Sequence, residues 1–302
     1  MEKRIEQLRE RLGAGELRLH EPMKEHTTFR TGGAADYFLI PHSEEELRES
    51  IALLREWGLP ILILGNGSNL LVRDKGIRGA VVQLDRNLAQ IAVEGEEITV
   101  QAGALLSTVA AKAAEYGLTG LEFASGIPGT IGGAVVMNAG AYGDEMKDVL
   151  LSVDVLTRDL QRKTIPAQEL DLGYRHSIIP EAGYIVLRAR LRLQKGDKAA
   201  ILARMAELAE RRREKQPLQY PSAGSTFRRP EGYFAGKLVQ DAGLKGRTIG
   251  GAQVSEKHSG FLINIGGASA QDILDLIALC QREVREKFGV TLETEVRIVG
   301  EE

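Results

Sequence analysis

The stretch from Phe123 to Gly143, FASGIPGTIGGAVVMNAGAYG, constrains this chain more than any other, because it holds six glycines and no charged residue. It is long enough to span a bilayer, but Ser125, Pro128, Asn138 and the glycines would leave backbone polar groups unpaired in lipid, which argues against a membrane helix. In a folded protein the same backbone groups need partners. Two readings satisfy them. The segment is a wandering buried loop, or its small residues let a flat or extended ligand lie directly against backbone amides. Glycine is abundant throughout, at 34 of 302 residues, where about 7% is usual.

A second glycine loop, Gly65-Asn66-Gly67-Ser68-Asn69, follows the apolar run Leu59 to Leu64. Asp85 lies about 20 residues further on, where a Rossmann fold would place its ribose-binding acid. The third glycine of that fingerprint is missing, and LLVRDKGIRG replaces the periodic helix that should follow. What survives is a run of backbone N–H groups and small donors suited to a pyrophosphate; an ordinary tight turn has the same composition. Two such loops in one chain point to a dinucleotide-like cofactor without saying which.

The remaining composition excludes several classes. The 39 Lys+Arg against 42 Asp+Glu give a net charge of -3, and the one basic cluster is Arg211, Arg212, Arg213 and Lys215. That is no footprint for nucleic acid. A single cysteine, Cys280, rules out an intrachain disulfide and a cysteine metal cluster, and His20, His26, His42, His176 and His258 form no helical ligand pair. No metal site is expected. The N-terminus reads as a charged helix with Ile5, Leu8 and Leu12 on one face, unlike a secretory signal, so a cytoplasmic protein without an obligate protein partner is expected.

Helical and strand periods alternate along the chain. Ser43 and Glu46 predict a capping box ahead of Leu47, Ile51 and Leu54, closed at Gly58. Three strand-like runs follow from Ala80, then a helix over Leu105 to Tyr116. In YIVLRARLRLQ the apolar Ile185, Leu187, Ala189, Leu191 and Leu193 recur at every second position, with arginines between the later ones, as in a strand with one buried face. Asp197 caps a long helix running to Gln216, stopped by Pro217. The remainder reads as strands around Thr248 to Val254 and Gly260 to Ile265, a helix from Ala270 to Phe288 capped by Ser269 and Asp272, and a last strand at Leu292 to Val299. Three polar residues stand out: Arg175 in LGYRHS, Ser225 in PSAGSTFRRP and Glu295 in LETEVRIVG. Each also reads as a surface arginine, a turn serine or a solvent-facing strand glutamate.

Seven segments taken together resemble the UDP-N-acetylenolpyruvoylglucosamine reductase (MurB) family, flavoenzymes of peptidoglycan precursor synthesis. They are TTFRTGGAADY, ILGNGSNLLVRDKGIRGAVV, GLEFASGIPGTIGGAVVMNAGAYG, GYRHS, PSAGSTFRRP, AGKLVQDAGLKG and LETEVRIVG, in the family's order and over nearly the whole chain. The resemblance implies an α+β protein with an FAD-binding domain of the vanillyl-alcohol oxidase (PCMH) type in two subdomains, residues 1–84 joined by 292–302 and residues 85–196, and a substrate-binding domain at 197–291. It implies non-covalent FAD held by Arg30, Thr31, Gly65, Asn66, Gly67, Ser68, Asn69, Gly126, Pro128, Gly129, Thr130, Gly132, Gly133, Ala134 and Asn138.

By the same resemblance, NADPH is the reductant and UDP-N-acetylglucosamine enolpyruvate the substrate. Hydride goes to C3 of the enolpyruvyl group, Arg175 and Glu295 stabilise the charge that develops at C2, and Ser225 protonates C2. Glu295 could donate a hydrogen bond there only in its protonated form. Tyr174, Lys215, Arg229 and His258 are expected to contact the nucleotide. Two departures bear on that contact. Ile178-Ile179 stands where many members carry an aromatic residue, and the chain resembles the shorter subclass, without the inserted loop whose tyrosine covers the nucleotide. A flavin oxidase of the same fold and a non-catalytic UDP-sugar or flavin-binding regulator are the rival readings.

Overall fold

Charge-alternating strands and glycine-punctuated turns dictate antiparallel sheets, and the computed structural model, which describes residues 2–302, contains them. The chain forms two compact units, residues 1–18, 37–66 and 79–211 in the first and residues 19–36, 67–78 and 212–302 in the second.

The first unit carries a five-stranded antiparallel sheet in the order Arg162–Pro166, Leu150–Leu156, Ile185–Arg192, Glu97–Gln101, Ile91–Glu94. The alternation holds in the second half of Ile185–Arg192, whereas at its start Val186 is buried along with Ile185 and Leu187, so both faces are covered there. Ala189 and Leu191 are buried while Arg190 and Arg192 are exposed. Leu106, Val109, Ala110 and Ala113 of the helix Leu106–Glu115 join the same core, each large side chain stabilising the fold by roughly 1.5–3 kcal/mol. A four-stranded sheet has the order Glu16–Pro22, Ala34–Ile40, Ile77–Gln83, Ile61–Leu64, the last two strands pairing in parallel.

The helix Glu44–Glu56 starts at Ser43, whose hydroxyl accepts the Glu46 N–H at 3.1 Å. The reciprocal half of the expected capping box does not form. The Glu46 carboxylate turns instead to the backbone N–H groups of His42, at 2.7 Å, and Ala14, at 3.3 Å, so it staples the end of the N-terminal helix Glu2–Leu12 to this one.

Phe123–Gly143 is not a wandering loop. With its flanking residues it forms a 3-10 turn at Glu122–Gly126, a short helix at Ile131–Val136, and a tight hairpin of Gly140–Ala141 with Asp144–Glu145. Much of its backbone is satisfied within the protein: Ile131 and Gly132 donate to the carbonyls of Ala104 and Ala102 at 2.9 and 2.8 Å.

The second unit holds a three-stranded antiparallel sheet, Thr248–Ile249, Ala252–Val254 and Leu262–Asn264. The helix Ala270–Phe288 places Ile273, Leu276, Ile277, Cys280 and Val284 in this unit's core, together with Phe29 and Leu71. Its predicted cap is fully formed, with Ser269 and Asp272 exchanging backbone and side-chain bonds at 3.0 Å. Asp74 adds a second cap, accepting the N–H groups of Ala270 and Gln271 at 2.8 and 2.9 Å. The expected last strand is shorter than Leu292 to Val299. Only Arg297–Val299 is regular, lying parallel to Leu70–Val72, because Thr294 is taken by an isolated bridge to Phe227 and Glu295 by the Thr226 carbonyl. Among the described residues no helix is long and apolar enough to cross a membrane, and no cluster of His, Cys, Asp or Glu could hold a metal ion.

Candidate active site

In the second unit the candidate residues gather around Thr226, a residue that motif reading does not single out. Thr226 is fully buried. Its N–H donates to the Gly260 carbonyl at 2.9 Å, its carbonyl accepts the Glu295 N–H at 2.8 Å, and its hydroxyl accepts the Leu262 N–H at 3.2 Å. Ser225 bridges Phe261 on one side and Phe227 bridges Thr294 on the other. Ser225 and Glu295 are thereby fixed on neighbouring extended segments. Ser225 is exposed and Glu295 half-buried. The Glu295 carbonyl is held by the Asn69 amide at 3.2 Å, so the side chain of this glycine-loop residue supports the glutamate's backbone.

His258 borders the same segment. Its ring meets Phe261 edge-on, with centroids 5.0 Å apart, and Nδ1 accepts the Gly260 N–H at 3.1 Å. The neutral ring therefore carries its proton on Nε2. Burial pushes the His258 pKa below the usual imidazole value, only partly opposed by its backbone hydrogen bond. Arg229 stacks its guanidinium 4.0 Å from the Phe234 ring centroid and donates to the Tyr233 carbonyl at 3.3 Å. Lys215 is exposed at the last turn of the helix Lys198–Lys215.

In the first unit, Arg175 occupies a two-residue turn. Gly173 and His176 exchange both backbone bonds at 3.2 Å, and Arg175 itself has φ +53°, a conformation that costs a non-glycine residue energy. Tyr174, beside it, is 52% exposed, with the Arg175 guanidinium 5.2 Å from its ring centroid. Ile178-Ile179 follows at the start of a short helix, Ile179–Ala182. Asn138, expected among the cofactor residues, is wholly buried; its amide donates to Glu145 and to the Gly173 carbonyl and accepts from the Lys147 N–H.

The two glycine loops meet within the first unit. In the first unit the Asn66 amide donates to the Pro128 carbonyl at 2.7 Å, and a Cβ on Gly65 would stand 2.3 Å from Thr130 Oγ1. In the second unit Gly67 has φ +60°, and a Cβ there would stand 2.0 Å from the His26 carbonyl oxygen. Its own carbonyl accepts the Thr28 N–H at 3.2 Å. Arg30 is exposed with φ +55°. Nearby, the hydroxyls of Thr28 and Thr31 are buried without a hydrogen-bond partner. Such groups are rare in native proteins, and a ligand rich in phosphate and hydroxyl oxygens would satisfy them, so the residues present fit an FAD.

Residues 35–161 match the model of an FAD-binding domain, which makes this chain a flavoprotein oxidoreductase of α+β architecture, the class expected from its sequence. Residues 216–299 match the C-terminal domain of UDP-N-acetylenolpyruvoylglucosamine reductase. The chain is 56% identical over 98% of both lengths to the reductase of that name from Caldanaerobacter subterraneus subsp. tengcongensis. It is 57% identical to that of Agathobacter rectalis, over 93% of both. A crystal structure of the Thermus caldophilus reductase (MurB) superimposes with a TM-score of 0.80 at 39% identity, covering 94% of this chain and 98% of that one. The chain belongs to the UDP-N-acetylenolpyruvoylglucosamine reductase family.

Proposed function

We propose that this protein reduces UDP-N-acetylglucosamine enolpyruvate to UDP-N-acetylmuramate, with NADPH as the reductant, as a cytoplasmic step of peptidoglycan precursor synthesis. The observation that carries this reading is near-full-length identity to reductases of that name, together with Ser225 and Glu295 fixed beside one another by Thr226.

FAD, when bound, supplies the two-electron chemistry that connects NADPH to C3 of the enolpyruvyl group. Thr31, the backbone of Gly65 to Asn69, and the segment Gly126 to Ala134 would hold it, with Arg30 alongside. The orphaned Thr28 and Thr31 hydroxyls support this assignment. On the division proposed for the chain, residues 1–84 with 292–302 and residues 85–196 serve the cofactor, and residues 197–291 serve the substrate. The parallel pairing of Arg297–Val299 with Leu70–Val72 supports joining the C-terminus to the first of these.

As hydride reaches C3, negative charge develops at C2 and spreads into the carboxylate. Arg175 supplies a permanent positive charge to that state, and Glu295 is its proposed partner, able to add a hydrogen bond only in its acid form. Preorganised donors of this kind are usually the largest catalytic contribution. Ser225 gives its hydroxyl proton to C2, and the new C–H bond leaves a serine oxygen that regains a proton from solvent. A serine hydroxyl is a weak acid, so the transfer depends on a strongly basic carbon held within reach. Tyr174, Lys215, Arg229 and His258 are the proposed nucleotide contacts, and the guanidinium of Arg229 suits a diphosphate.

A visible spectrum of the purified protein tests the whole reading. Flavin absorbance should be present, should bleach with NADPH, and should return under anaerobic conditions only when UDP-N-acetylglucosamine enolpyruvate is added. Return with oxygen alone at a turnover-competent rate would favour an oxidase, and no response to either nucleotide would favour a binding protein.

A further inference from the structure

The geometry points to Asn138 as the positioning residue for Arg175, in place of the cofactor contact its motif suggests; the inference rests on reading Arg175 as the charge-stabilising group. Asn138 is wholly buried and left-handed, with φ +40°. Its Nδ2 donates to the Gly173 carbonyl at 3.1 Å and to Glu145 Oε2 at 2.8 Å, and its Oδ1 accepts the Lys147 N–H at 2.9 Å. Both amide hydrogens are therefore spent on the protein.

Gly173 opens the turn whose third residue is Arg175. Its carbonyl takes the His176 N–H as well as the Asn138 amide. On the far side of the turn Ser177, also buried, donates its hydroxyl to the Val136 carbonyl at 2.8 Å. The Arg175 turn is thus pinned at both flanks to two residues, Val136 and Asn138, at the end of the helix Ile131–Val136. These flanking bonds fix the backbone on both sides of the left-handed Arg175.

Asparagine is the one side chain that meets every requirement. It tolerates the left-handed conformation better than other non-glycine residues, and it offers two donors and an acceptor on a short planar group. Aspartate would keep the bond from Lys147 but lose both donors, and would set a second carboxylate against Glu145. Glycine would keep the backbone and lose all three bonds. Asn138→Gly is therefore the informative variant, because it removes the tether without adding backbone strain. Ser177→Ala removes the opposite tether.

The experiment uses the FAD-loaded enzyme in four forms: Asn138→Gly, Ser177→Ala, Arg175→Ala and the double variant Asn138→Gly/Arg175→Ala. In Asn138→Gly, flavin content and bleaching by NADPH should stay within about twofold of wild type. Return of flavin absorbance on adding the enolpyruvyl substrate should slow on the order of 10²-fold, as misplacement by about an ångström does. In the double variant that return should be no slower than in Arg175→Ala alone, because a residue acting through Arg175 has nothing left to position. Independently of turnover, native-state trypsin should cut after Arg175 on the order of tenfold faster in Asn138→Gly, since cleavage follows local opening. Multiplicative losses in the double variant, or loss of flavin with unchanged cleavage, would overturn the proposal. Should Asn138→Gly not fold, Ser177→Ala carries the same expectations and the same power to refute. If Arg175→Ala leaves the substrate step untouched, the catalytic reading of Arg175 fails, and the cleavage rate alone decides whether Asn138 holds the turn.

Discussion

Ser225 is one residue away from a fully committed neighbour. Thr226 spends its N–H, carbonyl and hydroxyl on Gly260, Glu295 and Leu262, so Ser225→Ala should remove a hydroxyl without moving the backbone. Flavin bleaching by NADPH needs no proton at C2 and should proceed at near wild-type rate. The return of colour with substrate should slow by about 10²–10⁴-fold, the usual contribution of a general acid. In D₂O the wild-type product should carry deuterium at C2. Stopped-flow traces of the two half-reactions check this, and equal slowing of both would leave Ser225 a loop residue. At His258 the relevant quantity is a titration. Burial favours the neutral ring, so the folded pKa lies below that of the unfolded chain. The unfolded chain then binds more protons in between, and the stability His258 contributes is complete above the unfolded value and lost as pH falls through the folded one. Its NMR titration midpoint should fall below that of a free imidazole; one above it would contradict the burial argument. The resemblance carried by PSAGSTFRRP and LETEVRIVG pointed to Ser225 and Glu295; alone they read as a turn serine and a strand glutamate. The motifs could not point to Thr226, whose partners Leu262 and Glu295 are brought to it by the fold from 36 and 69 residues away.

The elements make visible why some local signals were readable. The Ser269 and Asp272 cap forms because its four groups lie within one turn, and no tertiary partner competes for them except the Gly251 N–H, which shares the Asp272 carboxylate. Glu46, in the same sequence arrangement, was claimed by His42 and Ala14, and spacing alone does not show that rivalry. The glycine loops were legible as loops, but the reason for Gly65 was not. It is the approach of Thr130, the N-cap of the helix Ile131–Val136, from the other loop. Gly65→Ala would place a methyl 2.3 Å from Thr130 Oγ1, far inside van der Waals contact, and should lower both the thermal midpoint and the amount of FAD retained after gel filtration. The clash is with the hydroxyl, so Thr130→Ala in the same chain should restore most of the lost stability. Failure of the double variant to recover would mean that the damage arises elsewhere in the loop.

On the scale of the whole molecule, the sequence showed two glycine loops and a long helix ended by Pro217, but not that the chain passes between its two compact units at 18/19, 36/37, 66/67, 78/79 and 211/212. Interleaving of this kind has no local signature, because each crossing lies within an otherwise ordinary run of residues. Its consequence is specific. Residues 216–299 match a family domain, yet the second unit also contains 19–36 and 67–78. Phe29 and Leu71, both fully buried, complete its core. Asn264 donates to the Phe29 carbonyl at 3.0 Å, Asp74 caps the helix Ala270–Phe288, and Leu70–Val72 is the partner of Arg297–Val299. A fragment of residues 212–302 would lose all of these at once. It would expose the cleft left by a phenylalanine and a leucine, and loss of each costs about 2–5 kcal/mol when such a side chain is cut back to alanine. Since a whole domain is stable by only about 5–15 kcal/mol, the fragment should not fold cooperatively. Circular dichroism should show a broad, shallow thermal transition for the fragment and a sharp one for the full chain. A sharp melt of the isolated fragment would mean that the earlier segments decorate this unit and do not build it.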